Sequence, residues 1–247
     1  MSARDAGPAS TVSDPAWPEL PYAGWKDTCE TLQMWTQVVG HVKLELCPFL
    51  NEWWEVAFEV TARGLTTLLI PWRDQAFEIR FDFIDHQLLV ETSAGEVRRM
   101  ALEPRSVAAF YREFTETLRS LEITVSIGTI PDEVAAGIPF DRDDVHASYD
   151  AEYVNRWWQI LLQTAKVMQR YRASFAGKSS PIMFFWGSFD LTTTRFSGRR
   201  APAPEGAPRF FQIAEDQENI ACGFWPGNAN AMGVEFGEPA FYAYAYP

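Results

Sequence analysis

Between Ser179 and Pro202 the sequence SSPIMFFWGSFDLTTTRFSGRRAP gathers large aromatic side chains, one carboxylate and three arginines. Taken as one extended strand, it sets Met183, Phe185, Phe189 and Leu191 on one face and Phe184, Trp186, Ser188 and Asp190 on the other. The first face has the composition of a core. The second mixes rings with a hydroxyl and a carboxylate, which is how a ligand pocket combines apolar area with a few orienting polar groups. It also fits a face covered by a helix, with Ser188 and Asp190 satisfied by backbone or by an arginine.

Arg195, Arg199, Arg200 and Arg209 follow closely. Guanidinium forks hold carboxylates and phosphates in two-point geometry, so these arginines could orient a small anionic organic ligand, with Arg195 at the strand end as the clamp. They could equally pair with the surplus carboxylates of the chain itself. His146 lies in DRDDVHASYD among Asp141, Asp143, Asp144 and Asp150, a setting suited to proton transfer or to a capped, solvated loop. An EF-hand is excluded because His146 occupies its obligatory glycine position, and no metal site is expected. If the protein is an enzyme, His146 and Asp190 are its candidate acid/base pair.

The remaining pocket candidates are Trp225 in GFWP and Tyr242 and Tyr244 in FYAYAYP, the tyrosines sharing one strand face. There is no G-x-S-x-G elbow, glycine-rich phosphate loop, C-x-x-C or H-E-x-x-H pair. Cys222 is a lone thiol without an identifiable base, which reads as structural. His41 and His86 read as surface residues. The cofactor is left open.

Several elements must position these groups. Trp25, Thr28, Leu32, Trp35 and Val39 have helical spacing, with Gly40 as a stop; Val42, Leu44 and Leu46, then Trp54, Val56, Phe58 and Val60, alternate as strands. From Phe77 to Ala101 the alternation continues, with reversals at Asp85-His86 and Ala94-Gly95. A helix follows Pro104, a strand is expected at residues 123–127, and Asp150 caps a helix of roughly 25 residues. Residues 199–240 read as a long Pro/Gly-rich loop, suited to a lid. The fold class is α+β: an antiparallel meander covered by helices on one face, with a long helix in the C-terminal half. Residues 1–19 read as a flexible arm and 20–247 as one domain.

The chain's 247 residues carry a formal net charge of −12. Such a balance disfavours nucleic acid and anionic membrane surfaces, which require concentrated positive charge. No segment offers the ~20 apolar residues of a membrane span, and no signal peptide is evident at the N-terminus, so a cytoplasmic location is expected. Cys29, Cys47 and Cys222 read as reduced thiols. Oligomeric state is left open. The alternative to a small-molecule pocket is a protein-interaction module that uses the exposed aromatics of GFWP and the tyrosine strand.

VTARGLTT at 60–67, FDFIDH at 81–86, HASYD at 146–150, FFWGSFDL and TRFSGRRAP within 184–202, GFWP and FYAYAYP together resemble an uncharacterised bacterial, DUF5996-like family over most of the chain from Leu20. The resemblance implies no activity. It does imply histidine where this chain has Glu55 and Met183.

Overall fold

The computed structural model describes residues 17–202, 205–207, 209–229 and 234–247, so nearly all of the N-terminal arm lies outside the described residues. Helix α1 (Tyr22–Leu46) leads into a 3₁₀ turn at Asn51–Trp53. Then come β1 (Glu59–Val60), β2 (Gly64–Thr66), β3 (Ile70–Trp72), β4 (Gln75–Asp82), β5 (Gln87–Thr92) and β6 (Val97–Ala101). Helix α2 (Val107–Arg119) and helix α3 (Ala151–Ala173) precede the second strand group. That group is β7 (Met183–Phe185), β8 (Asp190–Arg200), helix α4 (Arg209–Ala214), β9 (Gln217–Trp225) and β10 (Ala240–Tyr246).

These strands form two antiparallel sheets. The first runs β1-β2-β4-β5-β6 with β3 added to β4, and the second runs β10-β9-β8-β7. The protein is therefore α+β, with the meander accounting for one of its sheets. The two sheets meet where Phe58 and Phe184 exchange backbone hydrogen bonds of 2.8 Å each. On β4, Phe77, Ile79 and Phe81 are buried while Glu78 and Arg80 remain partly exposed, the one-sided pattern of a sheet with a wet face.

Large rings from helices and sheets share one hydrophobic cluster. Trp157 of α3 stacks on Phe189 at 4.9 Å and meets Phe184 edge-on at 5.5 Å, while Trp35 of α1 stacks on Phe110 of α2 at 4.8 Å. Aromatic pairs of this kind add to the area term of burial. Ser106 caps α2 by accepting from the Ala109 amide, and Asp150 caps α3 by accepting from the Glu152 and Tyr153 amides, as its sequence position predicts. Among the described residues no helix is long and apolar enough to cross a membrane.

Several expected boundaries are corrected. Gly40 does not end α1: a Cβ there would run into the Trp186 indole, so the glycine serves close packing. The helix continues to Leu46, and the expected strand at 42–46 is its last turn. WWEVAFEV contributes only Glu59 and Val60 to a strand. Residues 123–127 find no ladder partner and are not a strand. The expected long loop at 199–240 instead contains α4 and all of β9, because the apolar residues of β9 pair with β8 and β10.

Candidate functional site

The aromatic stretch is a hairpin and not one strand. β7 ends at Phe185, residues 186–189 turn, and β8 begins at Asp190, which pairs with Phe185. The Phe189 amide closes the turn on the Phe185 carbonyl at 2.8 Å. A four-residue turn resets the side-chain alternation, so the expected faces are exchanged in part: Met183 and Phe185 join Asp190 on a cavity wall, whereas Phe184, Phe189 and Leu191 are fully buried in the core.

The cavity has a volume of about 380 Å³, within the range of small-molecule sites. Trp53, Trp54, Phe185 and Trp186 supply apolar wall; Tyr242 and Tyr244 close another side. Trp186 also donates its indole N–H to the Val56 carbonyl at 2.8 Å, which fixes the ring. Tyr242 and Tyr244 lie on one face of β10 with ring centroids 6.2 Å apart, and Gly223 on the neighbouring β9 leaves room for the Tyr242 ring.

Each tyrosine holds one carboxylate. Asp190 accepts from the Tyr242 hydroxyl through one oxygen and from the Ser188 hydroxyl through the other. Glu215 accepts from the Tyr244 hydroxyl at 3.0 Å and from the Asn219 amide at 2.7 Å. Both acids are buried and rest on neutral donors. Burial raises the Asp190 pKa against the opposing effect of its two hydroxyl donors. Burial and the facing carboxylates likewise push both phenols up.

Three more carboxylates line the cavity, Glu52, Asp132 and Glu133. Glu133 is raised to about 7 by burial, then by the charges of Asp190 and Asp132. Its carboxylate lies against Gly187, where a Cβ would displace it. Glu52 is also raised to about 7, by burial and then by Asp216. Its Oε1 is buried without a hydrogen-bond partner. Glu52 and Trp53 both adopt left-handed backbone, at φ 56° and 61°, as does Glu133 at 54°. Strained φ values in non-glycine residues concentrate at functional sites, and here three fall on one cavity wall.

The sequence candidates therefore divide. Trp186, Ser188, Asp190, Tyr242 and Tyr244 are brought together. Arg195 is not on the cavity wall; its guanidinium stacks on Tyr171 at 3.3 Å and donates to the Tyr171 carbonyl and, at 2.9 Å, to the Ser174 hydroxyl. It ties β8 to the end of α3 instead of clamping a ligand. Arg199 and Arg200 are exposed, and Arg199 stands 3.8 Å from Glu218. Trp225 packs against Phe236 and does not line the cavity.

His146 is also elsewhere. Its Nδ1 bonds at 2.7 Å to the wholly buried Asp143, whose other oxygen accepts from the Val145 and His146 amides. The Val107 amide donates to the His146 carbonyl, so this loop fastens the start of α2. His146 and Asp190 do not share the cavity. His41, expected at the surface, is buried between the Gly128 carbonyl (2.8 Å) and the Asp132 carboxylate (2.9 Å), beside the Trp186 ring. Met183 lines the cavity, whereas Glu55 turns back to accept from the Leu50 amide.

Sequence reasoning missed Glu52, Glu133, Glu215 and Asn219. Glu52 and Glu133 come from irregular loops that period analysis ignores, and the other two lay inside the stretch read as loop. Among the described residues no three His, Cys, Asp or Glu side chains are grouped to hold a metal ion. The chain belongs to a family of unknown function, DUF5996, whose model matches residues 17–247. No curated protein and no solved structure matches it.

Proposed function

We propose that the protein binds a small organic cation in this cavity. The carrying observation is the charge of the wall: among the described residues it contains five carboxylates and no lysine, arginine or histidine. An anionic occupant, expected from the arginine-rich segment, would meet this wall without a partner, since Arg195 is engaged with Tyr171 and Ser174. An ammonium group would instead find acceptors among the carboxylates of the wall while the rings receive it through their π faces, an interaction of about 0.5–2 kcal/mol each. The negative net charge of the chain favours cation encounter over a wide area.

Among the described residues no three His, Cys, Asp or Glu side chains are grouped to hold a metal ion, so the proposed occupant is an organic cation. Free Cys29, Cys47 and Cys222 support a reducing, cytoplasmic setting. The interaction-module reading retains exposed Phe236, Phe241 and Tyr244, but Phe224 of GFWP is buried and both pocket tyrosines spend their hydroxyls on carboxylates.

Thermal denaturation with two probes of matched skeleton, benzylammonium and benzoate, tests the reading. Stabilisation by benzylammonium alone is expected. Stabilisation by benzoate, or by neither, contradicts it.

A further inference from the structure

The acids on the cavity wall are not one cluster. Asp190 accepts from Tyr242 and Glu215 from Tyr244; on the same cavity wall Glu133 lies against Gly187 of the turn that precedes Asp190, and Glu52 sits in the 3₁₀ turn that packs on α4, the helix Glu215 follows. Tyr242 and Tyr244 are two residues apart on β10, a separation of ~7 Å along a strand, in keeping with their 6.2 Å ring spacing. Two negative poles are thus fixed to successive same-face positions of one strand. The two phenol rings that carry these hydroxyls stack on each other.

At the second pole the acceptors exceed the donors. Glu52 is 8% exposed and its Oε1 has no hydrogen-bond partner; Asn219, 7% exposed, uses its amide N–H groups on Glu215 and Gln217 and leaves its Oδ1 unpartnered. Both residues line the cavity. Buried acceptors without donors are costly, and a donor brought from outside the chain would relieve both. A primary ammonium, with three N–H groups and no acceptor, matches Glu52 Oε1, Asn219 Oδ1 and Glu215 together. At the first pole Asp190 already has two hydroxyl donors, and Glu133 stands beside it as a further acceptor.

We infer that the occupant is a linear dication, an α,ω-diamine with one ammonium at the Glu52–Glu215 pole and the other at the Asp190–Glu133 pole, its methylenes lying along the Tyr242 and Tyr244 rings. This rests on the cation reading and specifies it. A chain of about four methylenes spans the ~6–7 Å between the two tyrosines whose hydroxyls mark the poles, at ordinary carbon–carbon bond lengths. Shorter diamines reach one pole only, and a monoamine leaves one pole unfilled.

Isothermal titration of the wild-type protein with 1,2-diaminoethane, 1,4-diaminobutane, 1,8-diaminooctane and 1-aminobutane tests the inference without a variant that could misfold. The expected result is one-to-one binding in which 1,4-diaminobutane is at least about tenfold tighter than both 1-aminobutane and 1,2-diaminoethane, since bridging makes the second contact intramolecular. The eight-methylene chain is expected to lose that advantage. Equal affinity for monoamine and diamine, or a flat length series, overturns the dication and leaves the cation reading intact. No binding by any amine removes both. In Glu52→Gln the advantage of 1,4-diaminobutane over 1-aminobutane is expected to fall several-fold; an unchanged ratio overturns the role of that pole.

Discussion

Replacing Tyr242 by Phe removes one of the two hydroxyls that hold the buried Asp190 carboxylate and changes almost nothing else in ring volume. A hydrogen bond to a charged group contributes about 1.5–3 kcal/mol and one to a neutral group about 0.5–1.5 kcal/mol, so the cost depends on whether Asp190 is ionised. The sign follows from its raised pKa. The stability such an acid contributes is fully present below its unfolded value of 3.8 and is lost as pH rises through the higher folded value. Loss of the Tyr242 donor raises that folded value further, so the variant falls behind the wild type increasingly as pH rises. A destabilisation of roughly 1 kcal/mol in mild acid and about 2–3 kcal/mol at about pH 8 is expected. For a chain of this size the latter lowers Tm by about 4–12 °C. Urea denaturation of both proteins across that range measures it. A cost that is the same at all pH values would show that Tyr242 contributes ring packing alone and would refute the account of the pair.

Gly223→Ala should act on the same pair from the opposite strand, because the new Cβ would occupy the space of the Tyr242 ring; a loss of about 1–3 kcal/mol in urea denaturation is expected, with weakened amine binding. Glu52→Gln should stabilise the free protein by roughly 1–2 kcal/mol at about pH 8, since it removes a buried acid whose pKa of about 7 means that ionisation opposes folding, and the gain should vanish below about pH 5. Asp143→Ala should cost about 2–4 kcal/mol by chemical denaturation, as it strips two backbone amides and His146 of a wholly buried acceptor. Arg195→Ala should lower stability through the lost Tyr171 stacking yet leave amine affinity unchanged within twofold; a large loss of affinity would place Arg195 in the site after all.

The parts of the fold visible in the sequence were those with a strong local signal. The alternation of Phe77, Ile79 and Phe81 identified the meander, and Asp150 marked the start of α3. Tyr242 and Tyr244 were legible as a same-face pair because strand alternation alone places them. What was lost depended on contacts across the chain. Gly40 resembles a helix stop until the Trp186 ring is seen against it, and the Trp186–Phe189 turn shifts the alternation of β7 against β8. Arg195 resembles an anion clamp until Tyr171, 24 positions earlier, is found beneath it. The acids of the wall come from a 3₁₀ turn, a loop, the first residue of β8 and the residue after α4, so no periodic pattern unites them. Their common charge becomes meaningful only when one cavity collects them.

The claim that this cavity receives a cation through its acids is tested most directly by titrating benzylammonium calorimetrically near about pH 6.5 in two buffers of different ionisation enthalpy. Glu52 and Glu133, both raised to about 7, are partly protonated there and should ionise when a cation arrives. Saturable one-to-one binding is expected, with protons released to the buffer and affinity that increases with pH through that region. No binding, or binding without proton release, would contradict it.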